Sequence, residues 1–451
     1  MEFDRRRLLA FSALGFAASE AAAAPSAAPS PSLWARGASA IDLKIEPDSP
    51  EDQSPALQRA IEQTAAARVP LMLPPGVYRA GSLTLPAGAR LVGCPGATRL
   101  LFTEGAALVA ARDADHVTLT GLILDGGRRP FAGRGLAHLA GGRGIRIEQC
   151  EVVGSAGDGV VLERIEGEVI GNTVTDVGGA AIFSLDARGL TIRGNMVRAA
   201  DNNGILVWRS EIGEDGTLVL DNRIEAISAR SGASGHDGNA IHIFRAGNVV
   251  VRGNRINAAF SAVRGNAAAN LQVIGNCCSD LKGVALYAEF EGAVIADNVV
   301  DGAAIGVSVT NSNRGGRLAV VHGNLIRNLL PARPAGSDPE DGAGIGISVE
   351  ADSAVTGNVI ENAPFAGIYL GSGPYARDLA ATGNVVRGSA VGIAVSMSAG
   401  TGAALIAGNL IAEATHGAIV GMEQKRRVTG DLARGGAERF ARLTIGANQV
   451  R

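Results

Sequence analysis

Along most of this chain, hydrophobic residues alternate with polar or small residues in short runs that glycine and asparagine interrupt. Each repeat contains an alternating run ending in Gly-Asn or Asp-Asn, then two or three mostly aliphatic positions, and then a second run such as residues 204–207. Alternation with a period of two predicts strands rather than helices. The asparagines that mark the repeats are Asn172, Asn195, Asn222, Asn254, Asn276, Asn298, Asn324, Asn358, Asn384 and Asn409.

The spacing of these asparagines predicts the architecture. Most lie 22 to 27 residues apart, and three short strands within that period fit one coil of a parallel β-helix. We predict an all-β fold, a single-stranded right-handed parallel β-helix, because parallel connections are right-handed. Asparagine suits the corners because it tolerates left-handed backbone geometry, and amides stacked about 4.8 Å apart can form a ladder. A ligand-binding role for the asparagines is the alternative.

The two ends of the repeat region differ from its middle. Residues 41–68 read as an N-terminal cap with a short amphipathic helix, and residues 422–451 as a C-terminal coil and cap. The helix is followed by Leu-Pro-Pro-Gly-Val-Tyr at residues 73–78. This order resembles the entry of pectate-lyase-like β-helix proteins, a resemblance that implies a helix covering the open end of the core. The domain itself is expected to run over residues 41–451.

The first residues have the pattern of an export signal. Arg5, Arg6 and Arg7 precede an apolar stretch and a run of alanines, which predicts a signal peptide at residues 1–23 and a flexible linker at residues 24–40. The paired arginines resemble a twin-arginine motif, with an ordinary arginine-rich signal as the alternative. The resemblance implies twin-arginine export machinery as a partner and a periplasmic or secreted protein without a stable membrane anchor after signal removal.

The composition of the chain limits the kinds of binding partner that can be expected. The net charge of −3 provides no basic field for nucleic acid, and 62 glycines with only 4% aromatic residues fit tight corners over a small aliphatic core. The repeat register places Cys150 and Cys277 about 24 Å apart, five strand spacings, which is beyond disulfide reach. Four free thiols are therefore expected, at Cys94, Cys150, Cys277 and Cys278.

A twin-arginine signal joined to these repeats resembles the twin-arginine-translocated repeat proteins of unknown function, over essentially the whole chain. The repeat is also similar to those of exported β-helix carbohydrate enzymes such as alginate epimerases. For the first family, export in the folded state has suggested a role in cofactor binding. The resemblance supports fold and destination and names no reaction and no cofactor.

Strand alternation predicts which side chains face outward. With a core column that includes Val263, Val284, Ile305 and Ile345, the middle repeats present aromatic, cationic and acidic residues on one face. Rings can stack on sugars and arginines can grip carboxylates, so we predict a groove for an extended acidic sugar chain. The alternative is a solvated sheet whose aromatic residues are covered by the loop at residues 228–238. The predicted substrate-binding residues are Trp208, Arg209, Phe244, Arg245, Arg264, Tyr287 and Glu289.

The candidate catalytic residues are His236, Asp237, His242 and Asp201. A histidine base beside arginines could abstract the proton α to a uronate carboxylate, as a lyase or C5-epimerase requires. Asp201 and Asp237 could instead act as paired acids in glycoside hydrolysis. His236-Asp237 resembles the His-Asp pair of alginate epimerases, although the residues normally before it are absent. Turn capping by the acids and His236, or a divalent ion held by the two histidines and Asp237, are further alternatives; no metal site is assigned.

These observations predict an exported β-helix protein that binds an acidic polysaccharide or cell-envelope glycan. In a second form of the prediction, the protein also modifies this ligand. Modification would be of lyase, epimerase or glycosidase type. The alternatives are a non-catalytic envelope or scaffold protein and a cofactor-binding protein that is exported folded.

Overall fold

A computed structural model describes residues 37–232, 235–310, 316–334, 342–371 and 375–451. In this part of the chain, each coil contributes strands to three faces, and strands of successive coils pair in parallel. The predicted all-β parallel β-helix is thereby confirmed. The predicted signal peptide and most of the predicted linker lie outside the described residues.

The strands fall into three faces according to their pairing partners. Face 1 contains Leu83–Thr84, Val109–Arg112, Ala180–Leu185, Asn203–Glu214, Asn239–Gly247, Ser261–Asn266, Val284–Glu289, Ile305–Thr310, Ile345–Val349, Ala366–Leu370, Val391–Ser396 and Ile419–Glu423. Face 2 contains Ala38–Ser39, Leu71–Met72, Arg90–Val92, Thr118–Thr120, Thr191–Arg193, Leu218–Leu220, Val250–Arg252, Leu271–Ile274, Glu291–Ala296, Arg317–His322, Ala351–Thr356, Arg377–Thr382, Ala404–Ala407 and Leu443–Gly446. Two long strands, Gly135–Glu148 and Asp158–Ile170, continue from face 1 into face 2.

Face 3 follows the asparagine corner and forms a sheet of its own. Its strands are Gly76–Ala80, Thr98–Phe102, Ile123–Asp125, Glu151–Val153, Thr173–Val177, Met196–Ala200, Arg223–Ile227, Arg255–Ala259, Cys277–Leu281, Val299–Asp301, Leu325–Arg327, Val359–Glu361, Val385–Arg387, Leu410–Ala412 and Gln449–Val450.

An aliphatic column from face 1 fills the core. It is continuous through the register pairs and consists of Ile182, Ile205, Ile241, Val263, Leu286, Val307, Ile347, Ile368, Ile393 and Ile419. The sequence prediction was wrong by two residues for Val284, Ile305 and Ile345, which lie in a separate apolar cluster with Tyr369. These three residues occupy the first position of their strands, the position that Ala366 has in a later coil, two residues before the core column. An alignment on the first aliphatic residue of each strand therefore misplaces them.

A ladder of buried asparagine side chains joins the coils at the corner between faces 2 and 3. At Asn195, Oδ1 accepts hydrogen bonds from both the backbone N–H and the side-chain amide of Asn172, at 2.9 and 3.0 Å. The Asn195 amide group donates in turn to Asn222 Oδ1 and to the Val169 carbonyl. The same pattern continues through every marker asparagine and ends at Asn448, which the sequence analysis missed. The predicted ladder is confirmed.

The left-handed turn at this corner belongs to the residue before the asparagine. Gly171 and Gly194 have φ of 64° and 65°, and Asp221 has φ of 55° where a glycine is missing. None of the ladder asparagines has positive φ. The expectation that asparagine supplies the left-handed backbone is therefore wrong. Glycine or aspartate turns the chain at every ladder asparagine except Asn448, where Ala447 does so with φ of 52°. The asparagine amide satisfies the buried backbone groups of two coils.

Both ends of the solenoid are closed. Helix Ser54–Ala66 buries Leu57, Ala60 and Ile61 against the first coils, as the amphipathic pattern predicts. At the other end, strand Arg426–Asp431 folds back antiparallel on Ile419–Glu423, and a short 3₁₀ helix, Ala437–Arg439, precedes the last two strands. The last two strands, Leu443–Gly446 and Gln449–Val450, lie on either side of the Asn448 corner. Covered ends remove strand edges that could pair with other chains.

All four cysteines are free, as expected, and Cys150 occupies the first position of the asparagine ladder. Among the described residues, no helix has the length and apolar character needed to cross a membrane.

Because of the ladder, removal of a single asparagine side chain is expected to reduce the stability of the fold strongly. Asn298→Ala leaves the buried Asn276 amides without their acceptor at Oδ1 and the Val273 carbonyl without its donor. Because unsatisfied buried groups cost about 1–3 kcal/mol each, we expect the free energy of unfolding to fall by about 3 kcal/mol or more. Denaturant unfolding measures this loss.

The matched control is Asn257→Ala, an exposed asparagine that bonds only Ser279 Oγ. This variant should change the stability by less than about 0.5 kcal/mol. Equal effects of the two substitutions would contradict the role of the ladder.

Candidate functional site

Two rows of outward side chains run along face 1 through the middle of the solenoid. Strand register fixes both rows, because residues paired across neighbouring coils point in the same direction. The first row consists of His138, Val161, Phe183, Leu206, His242, Arg264, Tyr287 and Ser308. The second row consists of Ala140, Glu163, Leu185, Trp208, Phe244, Asn266, Glu289 and Thr310. Together they are called the two-row face.

Aromatic rings form the centre of the two-row face. Trp208 contacts Phe183, His242 and Phe244 with ring centroids 5.3, 5.4 and 5.4 Å apart. The rings point away from the core, as predicted, but Phe183 and His242 are fully buried and only Trp208 and Phe244 are half-buried. The expectation that this face presents its aromatic residues to a ligand is therefore wrong for Phe183, and the candidate base His242 is likewise covered by neighbouring side chains.

Two segments provide the cover. The guanidinium of Arg134, which precedes strand Gly135–Glu148, lies 4.0 Å from the Phe183 ring centroid. From the loop at residues 228–238, the exposed His236 ring contacts both His242 and Phe244, at 6.1 and 6.3 Å between centroids. The loop therefore contacts His242 and Phe244 through His236, whereas Arg134 covers Phe183.

Asn266 organises the polar part of the site. Its Oδ1 accepts from His242 Nε2 at 3.1 Å and from Arg264 Nε at 2.9 Å, and its amide group donates to Glu289. Burial lowers the pKa of His242 to about 3, and the charge of Arg264 acts in the same direction. His242 is therefore neutral at neutral pH and too weak a base for the general-base role that the sequence suggested.

Arg264, Tyr287 and Glu289 form a second group at the end of the aromatic centre. The Arg264 guanidinium lies 4.2 Å from the Tyr287 ring centroid, and the Tyr287 hydroxyl is 3.4 Å from Glu289 Oε2. Burial and the Glu289 charge raise the pKa of Tyr287 above its usual range. Apart from the Nε bond to Asn266, Arg264 makes no hydrogen bond to a described residue. Its two terminal nitrogens therefore have no hydrogen-bond partner among the described residues, and the guanidinium lies beside Gly235 of the loop.

Other predicted residues have structural partners instead. Asp201 forms an ion pair with Arg230 at 2.7 Å, and Asp237 accepts a hydrogen bond from Asn203. Each of the two carboxylates thus has a structural partner of its own.

The two arginines that follow the second row behave differently from each other. Arg209 reaches the Ala187 carbonyl at 3.5 Å. Arg245 donates to the Ser210 carbonyl at 2.6 Å and also lies over the Phe244 ring, 4.8 Å from its centroid. Arg245 therefore belongs to the aromatic centre, and Arg209 lies outside it.

Sequence reasoning missed the residues at the start of the two-row face. His138 Nε2 lies 3.2 Å from Glu163 Oε1, and Arg134 lies 3.8 Å from Asp158. Counting outward positions backward from Phe183, in steps of one coil, would have found His138 and Glu163. The irregular early repeats, without Gly-Asn, hid that register.

Within the described ranges, no three histidine, cysteine, aspartate or glutamate side chains are grouped to hold a metal ion. His236, Asp237 and His242 thus do not form the metal site that was considered as an alternative.

The buried neutral His242 predicts a pH dependence of stability. Its pKa is about 3 in the folded protein, against 6.5 for an unperturbed histidine side chain, so the unfolded chain takes up a proton first as the pH falls. The stabilisation is complete above pH 6.5 and is lost toward pH 3. Between about pH 8 and pH 5 we expect the free energy of unfolding to fall by about 2 kcal/mol because of this residue.

Denaturant unfolding at both pH values tests this expectation. His242→Gln should remove that part of the pH dependence, and His416→Gln, at an exposed position, should retain the wild-type behaviour. If the His242→Gln variant lost as much stability between the two pH values as the wild type, His242 would not be the residue responsible.

Comparison with solved structures finds remote similarities. The chain is similar to the mannuronan C-5 epimerase AlgE6 A-module of Azotobacter vinelandii, with 17% identity, TM-score 0.47, and coverage of 92% of this chain and 99% of that one. It is also similar to a GH87 α-1,3-glucanase catalytic unit of Streptomyces thermodiastaticus (15%, TM-score 0.47, coverage 94% and 70%). A third similar structure is PfbA, a surface adhesin of Streptococcus pneumoniae (14%, TM-score 0.47, coverage 88% and 96%). A search of curated proteins found no match.

The sequence profile of the right-handed β-helix region family matches residues 107–257, 158–326 and 211–386. These overlapping matches span residues 107–386, which is 280 of the 451 residues. The chain belongs to the right-handed β-helix region family.

Proposed function

We propose that this protein binds an acidic polysaccharide along the two-row face, from His138 to Glu289. The observation that carries the proposal is the free end of the Arg264 guanidinium beside half-buried rings. Arg264 is held by Tyr287 and by Asn266 and makes no salt bridge with the described residues. A fixed guanidinium with open donors suits a carboxylate, because two parallel hydrogen bonds can form at once.

The aromatic centre supports an extended sugar ligand. Trp208 and Phe244 lie on neighbouring coils and are both half-buried, so each offers an apolar surface next to polar groups. Such rings suit sugar faces, which are apolar on one side and carry hydroxyls at the edge. Coils are about 4.8 Å apart, close to the length of one sugar unit. A chain lying along the solenoid axis can therefore place successive sugars on successive coils.

Binding is favoured over proton abstraction by His242, because that imidazole is buried and weakly basic. Lyase, epimerase or glycosidase activity remains a second candidate. It is favoured by the Tyr287 hydroxyl, which lies beside Arg264 and close to Glu289. A phenol of raised pKa beside a bound carboxylate is suited to donate a proton rather than to remove one.

Export through the twin-arginine pathway, to the periplasm or beyond, is part of the same proposal and rests on residues 1–23 of the sequence. Glycans outside the cytoplasm would then be the accessible ligands. Purification of the mature protein without a chromophore, and with affinity for a glycan, would separate this function from cofactor binding and from a scaffold role.

Arg264→Ala tests the proposed function. Loss of a hydrogen-bonded charge costs about 1.5–3 kcal/mol, so we expect affinity for alginate or polygalacturonate oligomers to fall at least tenfold. Isothermal titration of the wild type and the variant, with a neutral amylose oligomer as the comparison ligand, measures this difference.

The matched control is Arg255→Ala, because Arg255 is an exposed arginine on face 3. Its affinity should stay within about twofold of the wild type, since a distant surface charge contributes little. Equal losses for both variants, amylose binding as tight as uronate binding, or an unchanged affinity of the Arg264 variant would contradict the proposal.

A further inference from the structure

Two adjacent rings of the two-row face each carry a buried polar atom that lacks a hydrogen-bond partner within the described part of the chain. These atoms are the indole N–H of Trp208 and Nδ1 of His242. The two rings are in edge contact, with centroids 5.4 Å apart and planes at 82°. Buried polar groups in folded proteins nearly always have a partner, and a missing one costs about 1–3 kcal/mol. Two unpartnered atoms on adjacent rings therefore suggest a common missing group.

The network around Asn266 determines what each atom can do. The Asn266 amide nitrogen donates to the carboxylate of Glu289, so its Oδ1 must be the acceptor for Arg264 and for His242 Nε2. His242 Nε2 therefore carries the proton of the neutral ring, and Nδ1 presents a bare lone pair. Trp208 can only donate. One atom needs an acceptor and the other needs a donor.

The two rings approach each other from neighbouring coils. The two nitrogens of an imidazole point in divergent directions, and Nε2 points to Asn266 on the following coil. Nδ1 is thus directed away from Asn266, and the Trp208 ring lies against the same imidazole from the preceding coil. The exposed ring of His236 lies against His242 on this surface. Exposed side chains change rotamer within nanoseconds, so the His236 ring can move aside when a ligand binds.

We propose that Trp208 Nε1 and His242 Nδ1 form a hydroxyl-binding subsite. The indole N–H donates to the hydroxyl oxygen, and the hydroxyl proton is donated to Nδ1. A carboxylate would satisfy Trp208 alone, and an ammonium group would satisfy His242 alone. Among the groups that a polysaccharide carries, a free hydroxyl satisfies both atoms.

The neighbouring residue refines the ligand class. Arg264 follows His242 directly in the first row, one strand spacing of about 4.8 Å away. A ligand that uses both positions presents a carboxylate and a free ring hydroxyl about that far apart. This describes a polyuronate with unmodified secondary hydroxyls, and excludes one whose hydroxyls are acylated. The inference rests on the proposed function and names the hydroxyl subsite of the same face.

Trp208→Phe tests the subsite, because it removes the N–H and keeps an aromatic ring. The full-length mature protein is titrated with alginate and polygalacturonate oligomers, each as prepared and after O-acetylation of the ring hydroxyls. We expect Trp208→Phe to weaken binding of the unmodified oligomer about tenfold. The acetylated oligomer should bind the wild type about tenfold more weakly, with no further loss in the variant. Tyr375→Phe, at an exposed ring elsewhere, is the matched control, and thermal melting verifies folding.

The other outcomes overturn the subsite. Unchanged binding by Trp208→Phe means that an ordered water alone satisfies the two atoms and that no ligand hydroxyl enters. An equal loss for acetylated and unmodified oligomers assigns Trp208 to ring packing. If the wild type binds neither uronate, the proposed function itself fails. If the wild type binds and only the hydroxyl dependence is missing, the proposed function stands without the subsite.

Discussion

The amide ladder at the corner between faces 2 and 3 determines the register of every coil. Between the two ends of the ladder, each Oδ1 accepts two hydrogen bonds from the preceding coil, and each side-chain amide donates to the next coil and to a carbonyl. These groups are buried, so a shift of one residue would leave all of them unsatisfied. The same shift would turn the aliphatic column outward. The spacing between ladder asparagines varies from 22 to 39 residues, because the inserted residues lie at other corners of the coils.

The two-row face depends on that register. Because successive coils are aligned at the ladder, His242 and Arg264 lie side by side, and so do Trp208 and Phe244. The ladder fixes positions along the axis, and the alternation of each strand fixes direction. Asn266 then connects His242, Arg264 and Glu289 into one network. A site of this kind is assembled from residues on different coils, yet it needs no loop to bring them together.

Sequence periodicity was sufficient for the architecture, the capping helix and the outward direction of Trp208, Phe244 and Arg264, since these follow from local alternation. Sequence periodicity failed for features that depend on contacts between residues far apart in the sequence. Burial of His242 depends on His236 from an inserted loop, and the low pKa of His242 follows from that burial. The ion pair of Asp201 with Arg230 likewise depends on the path of the same loop. His138 and Glu163 were missed because the early coils lack the Gly-Asn pair that marks the later repeats.

A crystal structure of the mature protein with a bound alginate oligosaccharide would test directly whether the two-row face binds glycan, as proposed. We expect sugar density along Trp208 and Phe244, with a carboxylate against Arg264. Density confined to face 2 or face 3, or an oligosaccharide that leaves Arg264 uncontacted, would contradict it.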